Sequence, residues 1–163
     1  MIKENYIQQL LFIDKKLEEY TLSDMHKGLS IIDQKNLMLK KLQEIKKEIK
    51  EKPLNYFLEY EEKSFEEINI DPSDLYINKT QNNLDNKPNT GGRKITDFLR
   101  QYRYYLDVRH KLDFVINHFE FFAQNLPIIV EKSEDKYYIK SGNHRSMAVQ
   151  EIGLNKIKVI LLK

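Results

Sequence analysis

The chain of 163 residues contains no cysteine. That excludes disulfides, thiolate metal centres and cysteine nucleophiles, and makes a cytoplasmic setting the default expectation. Charge imbalance is nearly absent as well: 27 basic residues stand against 25 acidic ones, a net charge of +2. Bulk electrostatics therefore give no case for binding long nucleic acid. No apolar run approaches membrane-spanning length, and the N-terminus lacks the apolar core of a signal peptide, so no membrane partner is expected. The length suits one domain, or one domain with a helical extension, and is enough to bury a sizeable core.

What is present reads first as helix. Ile2, Tyr6, Leu10, Ile13 and Leu17, spaced by three and four, predict an amphipathic helix over residues 2–20. Thr21 or Ser23 can cap a second helix, with Asp24 favouring its N-terminal dipole. Leu37 or Met38, Leu42, Ile45 and Ile49 continue the helical spacing until Pro53 ends it. The expectation is an antiparallel pair forming an N-terminal extension, residues 1–53, as scaffold or as a surface for a protein partner. Residues 54–67 are aromatic and acidic and fit a short helix or a strand. Ile68–Ile70 predicts a short strand, stopped by Asp71-Pro72.

Residues 78–92 are polar and full of breakers, among them Lys79, Thr80, Gln81, Thr90, Gly91 and Gly92. Plain flexibility is the first expectation for this loop, with folding over a bound anion as the alternative. Arg93–Tyr105 predicts a helix with Ile95, Phe98, Leu99 and Tyr102 inward. Its other face carries Arg93, Lys94, Arg100 and Arg103 beside Tyr102, Tyr104 and Tyr105. Basic residues interleaved with tyrosines suit a nucleic-acid backbone and stacked bases, although an ordinary solvated face explains the same letters better. Val108, Leu112, Val115, Phe119 and Phe122 predict one further helix before Asn125, with its phenylalanines as core. His110 and His118 have no third ligand at metal spacing and are expected to be structural or exposed.

The C-terminal stretch is the most legible. Leu126–Lys132 and Lys136–Lys140 predict two strands joined by a hairpin turn at 133–136. Ser141-Gly142 then breaks the strand, Asn143–Ile152 reads as a helix closed by Gly153, and Lys156–Leu162 is a near-continuous apolar strand. Gly142-Asn143-His144-Arg145 thus sits at a strand-to-helix turn, where open N–H groups and the helix dipole favour an anion, most naturally phosphate. Arg145 is expected to add a bidentate fork and His144 a donor or acid, which makes His144 the catalytic candidate. Ser146 offers a further hydroxyl.

These residues resemble the ParB/sulfiredoxin superfamily, whose signature is a Gly-x-His-Arg or Gly-Glu-Arg-Arg turn followed by a helix and a strand. Pro127-Ile-Ile-Val130 is similar to the strand before that turn, and Ile68–Leu75 more weakly to the entry strand. The resemblance implies an α+β fold, a small mixed sheet packed on helices, over residues 54–163. It excludes sulfinic-acid reduction, since Asn143 stands where a sulfiredoxin has its cysteine. Asn143 and His144 also depart from the CTP-binding turn of ParB. Free serine kinases of the superfamily need an upstream acidic base, for which Glu66, Glu67, Asp71 and Asp74 are candidates that spacing does not separate. A nuclease would need a metal-holding carboxylate cluster, and none is read. The sequence closes without the helix-turn-helix of a chromosome-partitioning ParB, so sequence-specific DNA binding is not expected.

Two function classes follow. One is a nucleotide-using enzyme, a phosphotransferase or NTPase with ATP or CTP and Mg²⁺ at residues 142–146. The other is a DNA-associated or regulatory module that holds phosphate without turnover. The sequence leaves turnover open.

Overall fold

The computed structural model describes residues 6–22, 26–53, 56 and 64–163. It divides into two compact units, Met1–Lys63 and Ser64–Lys163.

In the first unit, α1 (Tyr6–Leu22) and α2 (Ile31–Glu51) pack as a pair. Lys16 meets Glu48 and the Lys52 ammonium lies over the Phe12 ring, so the two helices run in opposite directions. Ile7, Leu10, Ile13, Leu17 and Tyr20 of α1 face Met38, Leu42, Ile45 and Ile49 of α2 as the buried stripe. Tyr6, expected inward, is exposed, and Ile7 takes its place. The expected helix start at Thr21 or Ser23 is corrected in part. Thr21 lies in the last turn of α1, where its hydroxyl donates to the Leu17 carbonyl at 3.1 Å. Ser23 and Asp24, like Ile2, lie outside the described residues. The cap of α2 is Ser30, whose Oγ accepts the Asp33 N–H at 3.1 Å. The helix stops at Lys52, where Pro53 disfavours a further turn.

The second unit is α+β, as expected. Its five strands are β1 (Phe65–Ile70), β2 (Leu75–Ile77), β3 (Ile128–Ser133), β4 (Lys136–Ser141) and β5 (Ile157–Leu162), in the order β1-β5-β3-β4-β2. β1 pairs antiparallel with β5, and β3 with β4, while β5 runs parallel to β3 and β2 parallel to β4. The β3–β4 hairpin turns through Glu134 and Asp135, both at positive φ. Central β5 buries Ile157, Val159, Ile160 and Leu162, which is why it reads as an apolar run. β1, at the edge, alternates more weakly and presents Glu66 and Glu67 to Lys163 and Lys158.

Four helices complete the unit among the described residues: α3 (Ile95–Tyr102), α4 (Leu106–Asn117), α5 (Phe119–Asn125) and α6 (Asn143–Ile152). α6 packs against α3, α4, α5 and β3, with Met147, Ala148 and Val149 buried. Three expectations are corrected. β2 is a strand that periodicity missed, because three residues following the 3-10 turn Pro72–Asp74 are too few to show a period. The helix expected from Arg93 to Tyr105 spans only Ile95–Tyr102. The single helix expected from Val108 through Phe122, ending before Asn125, breaks at His118, whose φ of −119° leaves the helical region while its ring packs at a tilt against Phe114.

Candidate functional site

β4 ends at Ser141 and α6 begins at Asn143, so the whole change of direction falls on Gly142. Its φ of +112° is one that side chains resist. Space is short as well: a Cβ there would lie 3.0 Å from Arg145 Nη2 and 3.1 Å from Ile128 Cγ1. The Gly142 carbonyl accepts the first helical bond, from the Ser146 N–H at 2.8 Å, and also the Ser146 hydroxyl at 2.7 Å. Helix geometry leaves the N–H groups of Asn143 and His144 without a carbonyl inside α6, and Gly142 has no side chain with which to cap them. The Asn143 Oδ1 is buried with no hydrogen-bond partner among the described residues.

The expected residues are thus adjacent, but they face differently. Arg145, expected as an exposed fork, is buried. Its Nη1 donates to the Leu126 carbonyl at 2.5 Å and its Nη2 to Ser141 Oγ at 3.1 Å, so the guanidinium ties the end of β4 to the end of α5. Ser146 is also fully buried. A half-open cavity of about 230 Å³ lies against Arg145, walled by Phe119, Phe122, Leu126, Val149 and Leu154 and with Lys156 in its lining.

His144 turns the other way. Its Nε2 is 2.7 Å from Oδ2 of Asp85, and the second oxygen of Asp85 receives Lys111 Nζ of α4 at 2.5 Å. Burial alone would push the Asp85 carboxyl up. The hydrogen bonds and charges of His144 and Lys111 overcome that and hold it at about 2. Among the described residues, no three His, Cys, Asp or Glu side chains converge as a metal site.

Asp85 belongs to the segment 78–92, for which plain flexibility was the first expectation. The segment is instead folded. Thr90, fully buried, donates its hydroxyl to the Gln81 carbonyl at 2.6 Å and accepts the Leu84 N–H at 3.0 Å. The Gly92 N–H bonds the Ile77 carbonyl at 2.9 Å, and Gly91 passes so close to Asn82 and Lys79 that a Cβ would lie 2.4 Å from each. Leu84 and Asp85 are carried inward by this frame.

Of the upstream carboxylates weighed as bases, Glu66 and Glu67 are engaged along β1, and Asp71 caps the 3-10 turn by accepting the Ser73 N–H at 2.9 Å. Asp74 is exposed at that same turn. Asp85 is the carboxylate bonded to the turn residues, and Lys111 comes with it. Sequence reasoning passed over both. The available signal was Leu84, an apolar residue inside a polar loop.

A mixed five-stranded sheet, in which a strand turns through a left-handed glycine into a buried helix, makes this unit an α+β domain. Residues 118–163 match the family model of the ParB N-terminal domain. That segment carries α5, the β3–β4 hairpin, the Gly142 turn, α6 and β5, so the resemblance read from the turn holds over the part of the chain that builds it. No curated protein and no solved structure matches the chain.

Proposed function

We propose that the second unit binds a nucleotide, or another phosphorylated ligand, at the Gly142–Ser146 turn. The observation that carries this reading is the start of α6: a left-handed glycine with no side chain to cap the helix, and N–H groups of Asn143 and His144 that have no carbonyl partner within it. The His144 ring is the side-chain contact and the candidate catalytic group. Arg145 and Ser146 keep the turn in shape from below, and Arg145 adds positive potential to the seat. With a nucleoside triphosphate such as ATP or CTP, Mg²⁺ would enter on the phosphates. Hydrolysis or phosphoryl transfer is the enzyme form of this reading.

Calorimetric titration with ATP, CTP and inorganic phosphate, with and without Mg²⁺, tests it. A phosphate held by two backbone N–H groups and one imidazole should bind at micromolar to millimolar concentration, and His144→Ala should weaken it by roughly tenfold. Absence of binding at millimolar ligand sinks the proposal.

A second reading, a DNA-associated module without turnover, has its own support. Tyr104 and Tyr105 stand exposed between α3 and α4, as does Leu106 at the start of α4, with Arg103 stacked 4.8 Å over the Tyr104 ring. Such rings can stack on unpaired bases. Fluorescence anisotropy with short single-stranded DNA, comparing wild type with Tyr104→Ala/Tyr105→Ala, decides it. Equal or absent binding by both removes this reading.

A further inference from the structure

Asp85 sits in the turn Leu84–Asn86 with its backbone at φ 53°, in the left-handed region that residues other than glycine adopt only at a cost. Its side chain is 1% exposed. The left-handed backbone opposes folding, whereas the ionised carboxylate is held there by its two partners. What the arrangement does achieve is local. One oxygen of Asp85 is held by Lys111, and the other meets Nε2 of His144 at the first turn of α6.

An ionised carboxylate can only accept hydrogen bonds. Nε2 of His144 therefore carries a proton, and Nδ1 becomes the ring nitrogen that can gain or lose one. Nδ1 adjoins Cγ, on the main-chain side of the ring, and His144 is the second residue of α6, where the N–H groups of Asn143 and His144 are open. The ring meets Asp85 through Nε2, and among the described residues no hydrogen bond uses Nδ1.

We infer that Asp85 is a positioning residue for this anion site: it clamps His144 through Nε2–H so that Nδ1 is the nitrogen offered to a phosphoryl group at the start of α6. This rests on the phosphate-binding reading above and deepens it. Lys111 steadies Asp85 from α4. The ligand class this selects is a phosphate monoester or a nucleotide. A terminal phosphoryl oxygen can accept N–H from the charged ring or donate O–H to the neutral one. Loop 78–92 thereby takes part in the site without touching the ligand.

The test is imidazole ¹⁵N NMR on the full chain without ligand, for wild type, Asp85→Asn and Lys111→Met. His144→Gln assigns the signal among the four histidines. Inorganic phosphate and Mg²⁺–ATP are then titrated into the same samples. Asparagine tolerates a left-handed backbone, so Asp85→Asn preserves the loop while presenting a donor as well as an acceptor to the ring. Wild type should keep Nε2 protonated across the titration, with Nδ1 the site that changes. Asp85→Asn should show mixed tautomers and a phosphate affinity lower by roughly tenfold, the loss expected for one charge-assisted hydrogen bond. Lys111→Met, with the loop side chain still in place, should move in the same direction more weakly. A wild-type ring protonated on Nδ1 alone, or a tautomer unchanged in both variants, overturns the inference. Should the tautomer follow Asp85 while neither phosphate nor ATP shifts any wild-type resonance, the clamp stands and the proposed ligand falls.

Discussion

His144 on α6 and Asp85, fifty-nine residues upstream, meet Nε2 to Oδ2 at 2.7 Å. This one bond joins the start of a helix to a loop that sequence spacing would have left on its own. With Lys111 on the other oxygen, it makes Asp85 a carboxylate whose ionisation is coupled to folding.

The sign of that coupling is fixed. The folded carboxyl titrates at about 2, below its ordinary 3.8, so its contribution is fully present above pH 4 and is lost as pH falls towards 2. A shift of this size corresponds to about 2 kcal/mol. Urea unfolding at pH 6 and at pH 2.5 should show wild type losing about this much more than Asp85→Asn does. Parallel losses in the two proteins would mean the pair contributes nothing to acid sensitivity.

Gly142 should not tolerate a side chain. Alanine meets both the positive φ and the 3.0 Å approach of Arg145, and valine adds bulk against Ile128. Gly142→Ala is expected to lower stability by about 1–3 kcal/mol, and Gly142→Val by more. Thermal unfolding measures this, and phosphate titration of the folded alanine variant separates turn strain from ligand loss. An alanine variant as stable as wild type would contradict the turn geometry.

Removal of Arg145 should be felt first in stability. Arg145→Ala leaves the Leu126 carbonyl unsatisfied and opens space beneath Gly142, a loss of about 2–4 kcal/mol. Lysine restores the charge but can make only one of the two contacts, so it should recover part of this. Denaturant midpoints for the three proteins give the order; alanine equal to wild type would show that the inward guanidinium is idle.

Thr90 is the pin of the loop. Thr90→Val keeps the shape but strands the Leu84 N–H and the Gln81 carbonyl, at a cost of about 1–3 kcal/mol, whereas Thr90→Ser keeps both bonds. Hydrogen exchange should quicken at Leu84 in the valine variant and stay near wild type in the serine variant. Equal exchange in all three would show that other contacts order the segment.

The sequence by itself determined the elements with strong local signals. α1 and α2 follow from residues spaced by three and four, the β3–β4 hairpin from alternation around a turn, and β5 from an apolar run bound for the middle of a sheet. Gly142 and Gly153 marked both ends of α6, because only glycine takes those backbone angles at little cost. Tertiary structure alone decided which way the turn residues face. Arg145 and His144 are neighbours in the chain, yet on a helix they point about 100° apart. One therefore goes down to Leu126 and the other across to Asp85. Nor could local pattern order the 78–92 loop, since what holds it is a buried threonine and a glycine packed within the loop, together with an ion pair to α4, contacts that follow no helix or strand period. Periodicity reports which side of an element is apolar; it carries no information on which distant charge a buried carboxylate will meet.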